Sequence, residues 1–200
     1  PPPAPQFRVS IEPRKLIVRW NGLRSETTKA DFAGIIDLEG YRVYMGRSKE
    51  ASNLSVVNSY DIEDFNKYVY LSNANNYVLI DLPFSRAQLK ALYGSNFEPE
   101  DYNRNNPFEL PLFPDSLFYF APQDYNHSVL TDPTTIHKIY PNQAYPSSII
   151  PDSADPDELT PEGNLKYFEY EYVKDSLQIS YPYYVNVTAF DFGSPASGLP

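Results

Sequence analysis

The chain has 200 residues, a formal net charge of −10, 20 prolines, 18 tyrosines and no cysteine. The absence of cysteine excludes disulfides, thiolate metal sites and a cysteine nucleophile, and no run of about 18 apolar residues is present to span a membrane. An acidic chain without a basic stripe is a poor nucleic-acid binder, because phosphate neutralisation supplies most of that affinity. A composition rich in tyrosine and proline favours an all-β protein over a helical enzyme.

Four segments near the N-terminus alternate apolar and polar residues with the period of two that half-buried strands show. They follow a proline-rich lead-in over 1–6, which we interpret as an extended linker. The segments cover 7–11, 16–20, 38–45 and 54–62. Phe7, Val9 and Ile11 alternate in the first strand, and Leu16, Val18 and Trp20 share one face of the second. Tyr41, Val43 and Met45 are expected to face inward in the third.

Two further segments with the same alternation lie near the C-terminus, at 165–172 and 181–191. Both predict strands with one buried face. The side chains expected to point inward are Phe168, Tyr170 and Tyr172 in the first segment, and Tyr183, Val185, Val187 and Ala189 in the second.

Four features of these strands occur in the order in which fibronectin type III domains carry theirs. Trp20 lies in the second strand, Tyr41 follows a glycine in the third strand, and Leu177 lies six residues before Tyr183. The chain therefore resembles that family, with these four residues as its structural signature. The resemblance implies an all-β, antiparallel sandwich in which a tyrosine at the E–F corner hydrogen-bonds to the backbone upstream.

The resemblance covers 1–64 and 165–200, which implies a discontinuous sandwich with an insertion over 65–164. Residues 192–200 look like the turn after strand F. The G strand, which should pair with strand F, is then absent or lies beyond the chain end. An open sheet edge of this kind is a template for a strand from another segment.

The insertion over 65–164 contains 12 prolines and two glycines. From this composition we expect neither long helices nor regular sheet, but an ordered, irregular subdomain rich in proline and aromatic residues. One short helix is well marked. Ser85 is a suitable N-cap, Gln88 completes a capping box, and Gly94 ends the helix.

The aromatic residues of the insertion have two interpretations. They form a core that holds the proline-rich segments in place, or some of them are exposed as a sugar-binding platform or protein interface. The residues concerned are Tyr102, Phe108, Phe113, Phe118, Tyr119, Phe120, Tyr125, Tyr140 and Tyr145.

The densest acidic cluster comprises Asp152, Asp155, Asp157 and Glu158. Closely spaced carboxylates are ligands that calcium selects, so the cluster is a candidate calcium site. The alternative is a solvated turn in which Asp155 caps a short helix. The two histidines, His127 and His137, lie ten residues apart without a metal-binding or catalytic signature.

Three asparagines begin the N-x-S/T sequence that accepts N-linked glycans. They are Asn53, Asn126 and Asn186. The alternation of the last strand predicts that Asn186 points outward, so a glycan would fit there.

No nucleophile elbow, phosphate loop or paired carboxylate is evident, and the resembled family is as a rule non-catalytic. We expect a non-enzymatic extracellular or cell-surface module that displays or assembles other parts of a larger protein through protein partners or neighbouring domains. One alternative is a carbohydrate-binding accessory module of a secreted enzyme. Another is a subunit of a filament or surface layer that assembles by strand donation.

Overall fold

The computed structural model describes residues 1–31, 34–80, 83–110, 113–123 and 135–191. Within these ranges, twelve strands form three antiparallel sheets, and two α-helices accompany them. The strands are β1 (Phe7–Glu12), β2 (Lys15–Asn21), β3 (Leu38–Gly46), β4 (Leu54–Asp61), β5 (Asp64–Leu71), β6 (Asn76–Leu79), β7 (Phe84–Ser85), β8 (Phe108–Leu110), β9 (Phe113–Gln123), β10 (His137–Lys138), β11 (Glu169–Lys174) and β12 (Tyr184–Asp191). The helices are α1 (Leu23–Thr27) and α2 (Arg86–Tyr93). The predicted all-β class is confirmed.

The chain divides into two compact units. The first comprises Pro1–Asp61 with the described part of Asn126–Phe192, and the second comprises the described part of Ile62–Tyr125. Residues 135–164 therefore group with the first unit, although the sequence had suggested one insertion over 65–164. That insertion, and the discontinuous sandwich around it, stay predictions.

The first unit contains two sheets, with strand orders β1-β2-β11-β10 and β12-β3-β4. Their apolar faces meet in a sandwich-like arrangement. Trp20 of β2 and Tyr41 of β3 are edge to face, with ring centroids 5.6 Å apart, and Trp20 stacks on Tyr170 of β11 at 5.7 Å. The inner-face residues of β2, β3 and the β11 segment are buried as the alternation predicted; they are Leu16, Val18, Trp20, Tyr41, Val43, Met45, Phe168, Tyr170 and Tyr172.

The second unit is a sheet with the order β6-β5-β9-β8. The short strand β7 pairs with the first two residues of β5, Asp64 and Phe65. Its core is aromatic: Phe65, Phe97, Phe118 and Phe120 pack with Leu89 of α2. The predicted capping box is confirmed, because the Ser85 hydroxyl accepts from the Gln88 N–H and the Gln88 side chain accepts from the Ser85 N–H.

The expectation that the second unit would be irregular, without regular sheet, was wrong. Its prolines mostly avoid the places where they would break a ladder. Pro83 and Pro107 directly precede β7 and β8, and Pro99 opens a 3-10 turn. Pro114 and Pro122 do lie within β9. Pro114 falls where the register with β8 shifts, between the Leu117 and Phe113 pairings, and Pro122 lies beyond Phe118, where the β8 register ends. A high proline count is therefore compatible with a five-stranded sheet here.

Substitution of Ser85 tests the cap of α2. Ser85→Ala removes the acceptor for the Gln88 N–H and should lower the free energy of unfolding by about 1 kcal/mol. The exposed Ser95 lies in the turn that follows α2, so Ser95→Ala should change stability by less than about 0.5 kcal/mol. Urea unfolding followed by circular dichroism measures both variants. Equal effects would contradict the assigned cap.

Candidate functional site

The side chains of β1 that point to the same side as the buried residues of β2 are exposed. We call this side the inner face of β1, because pairing with β2 directs it towards the core. Phe7, Val9 and Ile11 lie directly opposite Trp20, Val18 and Leu16 of β2. Directly opposed residues of antiparallel strands point to the same side of a sheet. The three β2 partners are 0–4% exposed, whereas Phe7, Val9 and Ile11 are 37%, 41% and 82% exposed. The sheet is therefore covered at β2 and uncovered at β1.

The uncovered face forms one wall of an apolar groove of about 750 Å³. The β1–β2 turn closes one part of the groove, and residues 177–183 with the start of β12 form the opposite wall. Ile179 and Tyr181 of that wall are also exposed. We call this feature the edge groove; its apolar lining residues include Phe7, Val9, Ile11, Leu16, Ile179 and Val185.

Among the described residues, the facing sheet has no strand that covers β1. Among the described strands, β12 pairs with β3 on one side and with none on the other. Val187 of β12 is buried, because it faces the covered interior. A further strand beside β12 would lie opposite β1 and would cover Phe7, Val9 and Ile11.

Two residues of the predicted signature fix the wall of the groove. The Leu177 N–H donates to the Arg14 carbonyl at 3.0 Å, which ties residues 177–183 to the β1–β2 turn. The Tyr183 hydroxyl accepts from the Gln178 N–H at 3.1 Å. This hydrogen bond joins the Tyr183 side chain to the backbone five residues upstream and holds the chain in a fixed path into β12.

A polar cluster lies inside the first unit, around Glu26 of α1. The Tyr170 hydroxyl donates to Glu26 Oε1 at 2.7 Å, and the Tyr41 hydroxyl donates to the same oxygen at 3.2 Å. Burial raises the pKa of Glu26, while the Lys138 charge and the two hydroxyls partly offset that rise. Since both tyrosines belong to the inter-sheet aromatic core, we interpret the cluster as a structural link between the sheets.

The acidic cluster forms a turn capped by Asp155, which was the alternative to a calcium site. Asp155 caps the 3-10 turn Pro156–Glu158, and its side chain accepts from the Asp157 N–H. The Glu158 carboxylate accepts from the Asp155 N–H and from the N–H and hydroxyl of Ser147. In the part of the chain that the structure describes, no group of three or more acidic or histidine side chains could hold a metal ion. Calcium binding at Asp152, Asp155, Asp157 and Glu158 stays a prediction.

The other sequence-predicted positions do not converge on a site. Asn53 and Asn186 are exposed, and Asn126 lies outside the described residues.

Most of the aromatic residues that the sequence singled out pack against other rings. Tyr102, Phe108, Phe118 and Phe120 belong to the core of the second unit. Tyr119 stacks on Tyr68 at 4.9 Å, and Tyr145 contacts Tyr167 edge to face. Tyr125 and His127 also lie outside the described residues, while His137 Nε2 is 3.5 Å from Glu171 Oε1.

The sequence predicted a strand with alternating Phe7, Val9 and Ile11 but did not indicate the edge groove. Alternation identifies the apolar face of a strand, but it cannot tell whether another layer covers that face. The only available signal was the missing partner of the last strand. The prediction that strand F has no partner came from residues 192–200, which lie outside the described residues.

Comparison of the chain with protein-family models, with curated proteins and with solved structures found no match. Within the described residues, no helix has the length and apolar character needed to cross a membrane.

Removal of the Tyr183 hydroxyl tests its hydrogen bond to the Gln178 N–H. Tyr183→Phe leaves the Gln178 N–H without its partner and should lower the free energy of unfolding by about 1 kcal/mol. Tyr184→Phe is the matched control, because that exposed hydroxyl makes no hydrogen bond among the described residues. Urea unfolding followed by the fluorescence of Trp20, the only tryptophan, reports on the first unit. If the two variants have the same urea midpoint of unfolding, the Tyr183 hydroxyl does not stabilise the chain path into β12.

The raised pKa of Glu26 predicts a pH dependence of stability. Above the ordinary value of 4.5, the folded state retains a proton that the unfolded state releases, so the free energy of unfolding falls as pH rises towards the folded pKa. Glu26→Gln keeps an acceptor for Tyr170 and Tyr41 but removes this titration. We expect a flatter profile and undiminished stability at neutral pH, measured by urea unfolding between about pH 4 and pH 8. Parallel profiles for the two proteins would contradict the assignment.

Proposed function

We propose that the first unit is a fibronectin type III-like sandwich that acts as a non-catalytic protein-interaction module of a larger protein. In this proposal, the edge groove binds a β-strand that joins the sheet beside β12. The setting that the resemblance favours is extracellular or cell-surface, where such modules connect and display other domains.

The signature residues support the family part of the proposal. Trp20 and Tyr41 meet at the centre of the sandwich-like core, and the Tyr183 hydroxyl bonds to the Gln178 N–H at the corner. The pairings β1-β2-β11 and β12-β3-β4 join strands in the order expected for strands A, B and E and for strands F, C and C′. Fold alone does not give function, so the interaction role rests on the groove.

The observation that carries the function is the exposed inner face of β1 beside the edge of β12 that has no partner among the described strands. Complete burial of one valine, isoleucine or phenylalanine side chain contributes about 1.5–3 kcal/mol. Phe7, Val9 and Ile11 together therefore offer a substantial gain to a ligand that covers them. A strand also pairs its backbone with the edge of β12, which supplies hydrogen bonds that a compact apolar ligand would lack.

A blocked groove tests the proposal directly. The probe is a fluorescent eight-residue peptide with valine at alternate positions and threonine or asparagine between them. Val9→Lys places a charge on the groove wall and should weaken binding at least tenfold, about 1.4 kcal/mol, because the ammonium group would have to be desolvated.

Val56→Lys is the matched control. Val56 is an exposed strand valine of the same unit, 50% accessible against 41% for Val9, but it does not line the groove. Fluorescence anisotropy should give wild-type affinity for this variant. The proposal fails if the wild-type protein does not bind the peptide. It also fails if both variants bind the peptide with the affinity of the wild-type protein.

A further inference from the structure

The charges around the edge groove define the occupant further. We propose that the groove accepts an extended peptide strand that runs antiparallel to β12, presents bulky apolar side chains at alternate positions, and carries an acidic residue at its C-terminal end. This inference rests on the proposed function and specifies the partner of the same site.

The alternation follows from the shape of the uncovered surface. Phe7, Val9 and Ile11 are spaced two residues apart along β1, and Val185 and Val187 are spaced in the same way along β12. A strand paired with β12 would point every second side chain towards β1. Those side chains must be apolar and large, because the groove of about 750 Å³ is lined mainly by aliphatic and aromatic residues.

An unpaired strand is a better occupant than a strand of a second folded copy. The described strands next to the groove already use their inner side chains within their own sandwich: Val187 of β12 and Val43 of β3 are buried. A segment that is not yet part of a sheet has both its inner face and its backbone groups free for the groove.

The charge requirement comes from two arginines at the end where β12 begins. Arg14 lines the groove at the β1–β2 turn, and its carbonyl accepts from Leu177 N–H. The Arg47 guanidinium lies 4.1 Å from the ring centre of Tyr181, another lining residue, and donates to Gln178 Oε1 at 2.9 Å. Among the described residues, neither arginine has a carboxylate partner, whereas the nearby Glu12 accepts from Lys15 at 3.3 Å.

The direction follows from the position of those arginines. An antiparallel strand places its C-terminal end beside the first residues of β12, near Tyr183, Tyr181 and Arg14. All three sheets of this protein are antiparallel, and antiparallel pairs are slightly more stable than parallel ones. A glutamate or aspartate at the C-terminal end of the ligand would then meet the two arginines.

Four capped peptides with the same alternating valine core test the assignment. They carry glutamate or lysine at the C-terminal end, or glutamate or lysine at the N-terminal end. The C-terminal glutamate peptide should bind at least about threefold more tightly than its lysine counterpart at low salt, and the difference should shrink as salt is added. The charge at the N-terminal end should have a smaller effect.

Arg14→Glu should reverse or abolish the preference for a C-terminal glutamate. Arg24→Glu is the control, because Arg24 is an exposed arginine of the same unit that does not line the edge groove. It should leave the preference unchanged. A double-mutant cycle between residue 14 and the terminal peptide residue measures the coupling directly.

The outcomes separate this inference from the proposed function. Equal binding of all four peptides, still blocked by Val9→Lys, would overturn the charge requirement and leave strand binding intact. A preference for N-terminal glutamate would overturn the antiparallel direction. Binding of no peptide would overturn both the inference and the proposed function. A concentration-dependent dimer that competes with the peptide in gel filtration would identify a second copy as the occupant and overturn the proposal.

Discussion

The first unit depends on contact between two apolar sheet faces, because burial of the apolar side of each strand against another layer supplies most of the stability of a sheet. Trp20, Tyr41 and Tyr170 meet this requirement at the centre, where their rings lie 5.0–5.7 Å apart. The Tyr170 and Tyr41 hydroxyls reach Glu26, so the same residues that fill the core also satisfy a carboxylate beside it. At β1 this cover is missing, because among the described strands the facing sheet ends at β12.

The edge groove therefore follows from the topology and is not a local irregularity. The groove walls are held in place independently of any ligand, since the Leu177 N–H bonds to the Arg14 carbonyl and the Gln178 N–H bonds to the Tyr183 hydroxyl. A preformed site of this kind loses little conformational entropy on binding. For the proposed strand ligand, the cost would fall mainly on the incoming segment, which must become extended, and burial of Phe7, Val9 and Ile11 would offset that cost.

Much of the first unit could be predicted from the sequence because its strands carry local signals. Period two identified the inner faces of β2, β3 and β11. In the second unit, the capping box of Ser85 and Gln88 identified α2. The sheet of the second unit could not be predicted in this way. Composition counts prolines but does not reveal that Pro83 and Pro107 lie just outside strands. The groove was missed for a different reason: exposure of Ile11 depends on a partner strand distant in sequence.

Hydrogen exchange along β12 tests the central claim most directly. Every second N–H of an edge strand points away from its partner and exchanges quickly unless another strand accepts it. In the chain alone, alternate amides of Tyr184–Asp191 should exchange quickly while the amides bonded to β3 are protected. Addition of the alternating peptide should protect the fast set over the same residues. Uniform protection in the chain alone, or fast exchange that the bound peptide does not change, would contradict strand addition at this edge.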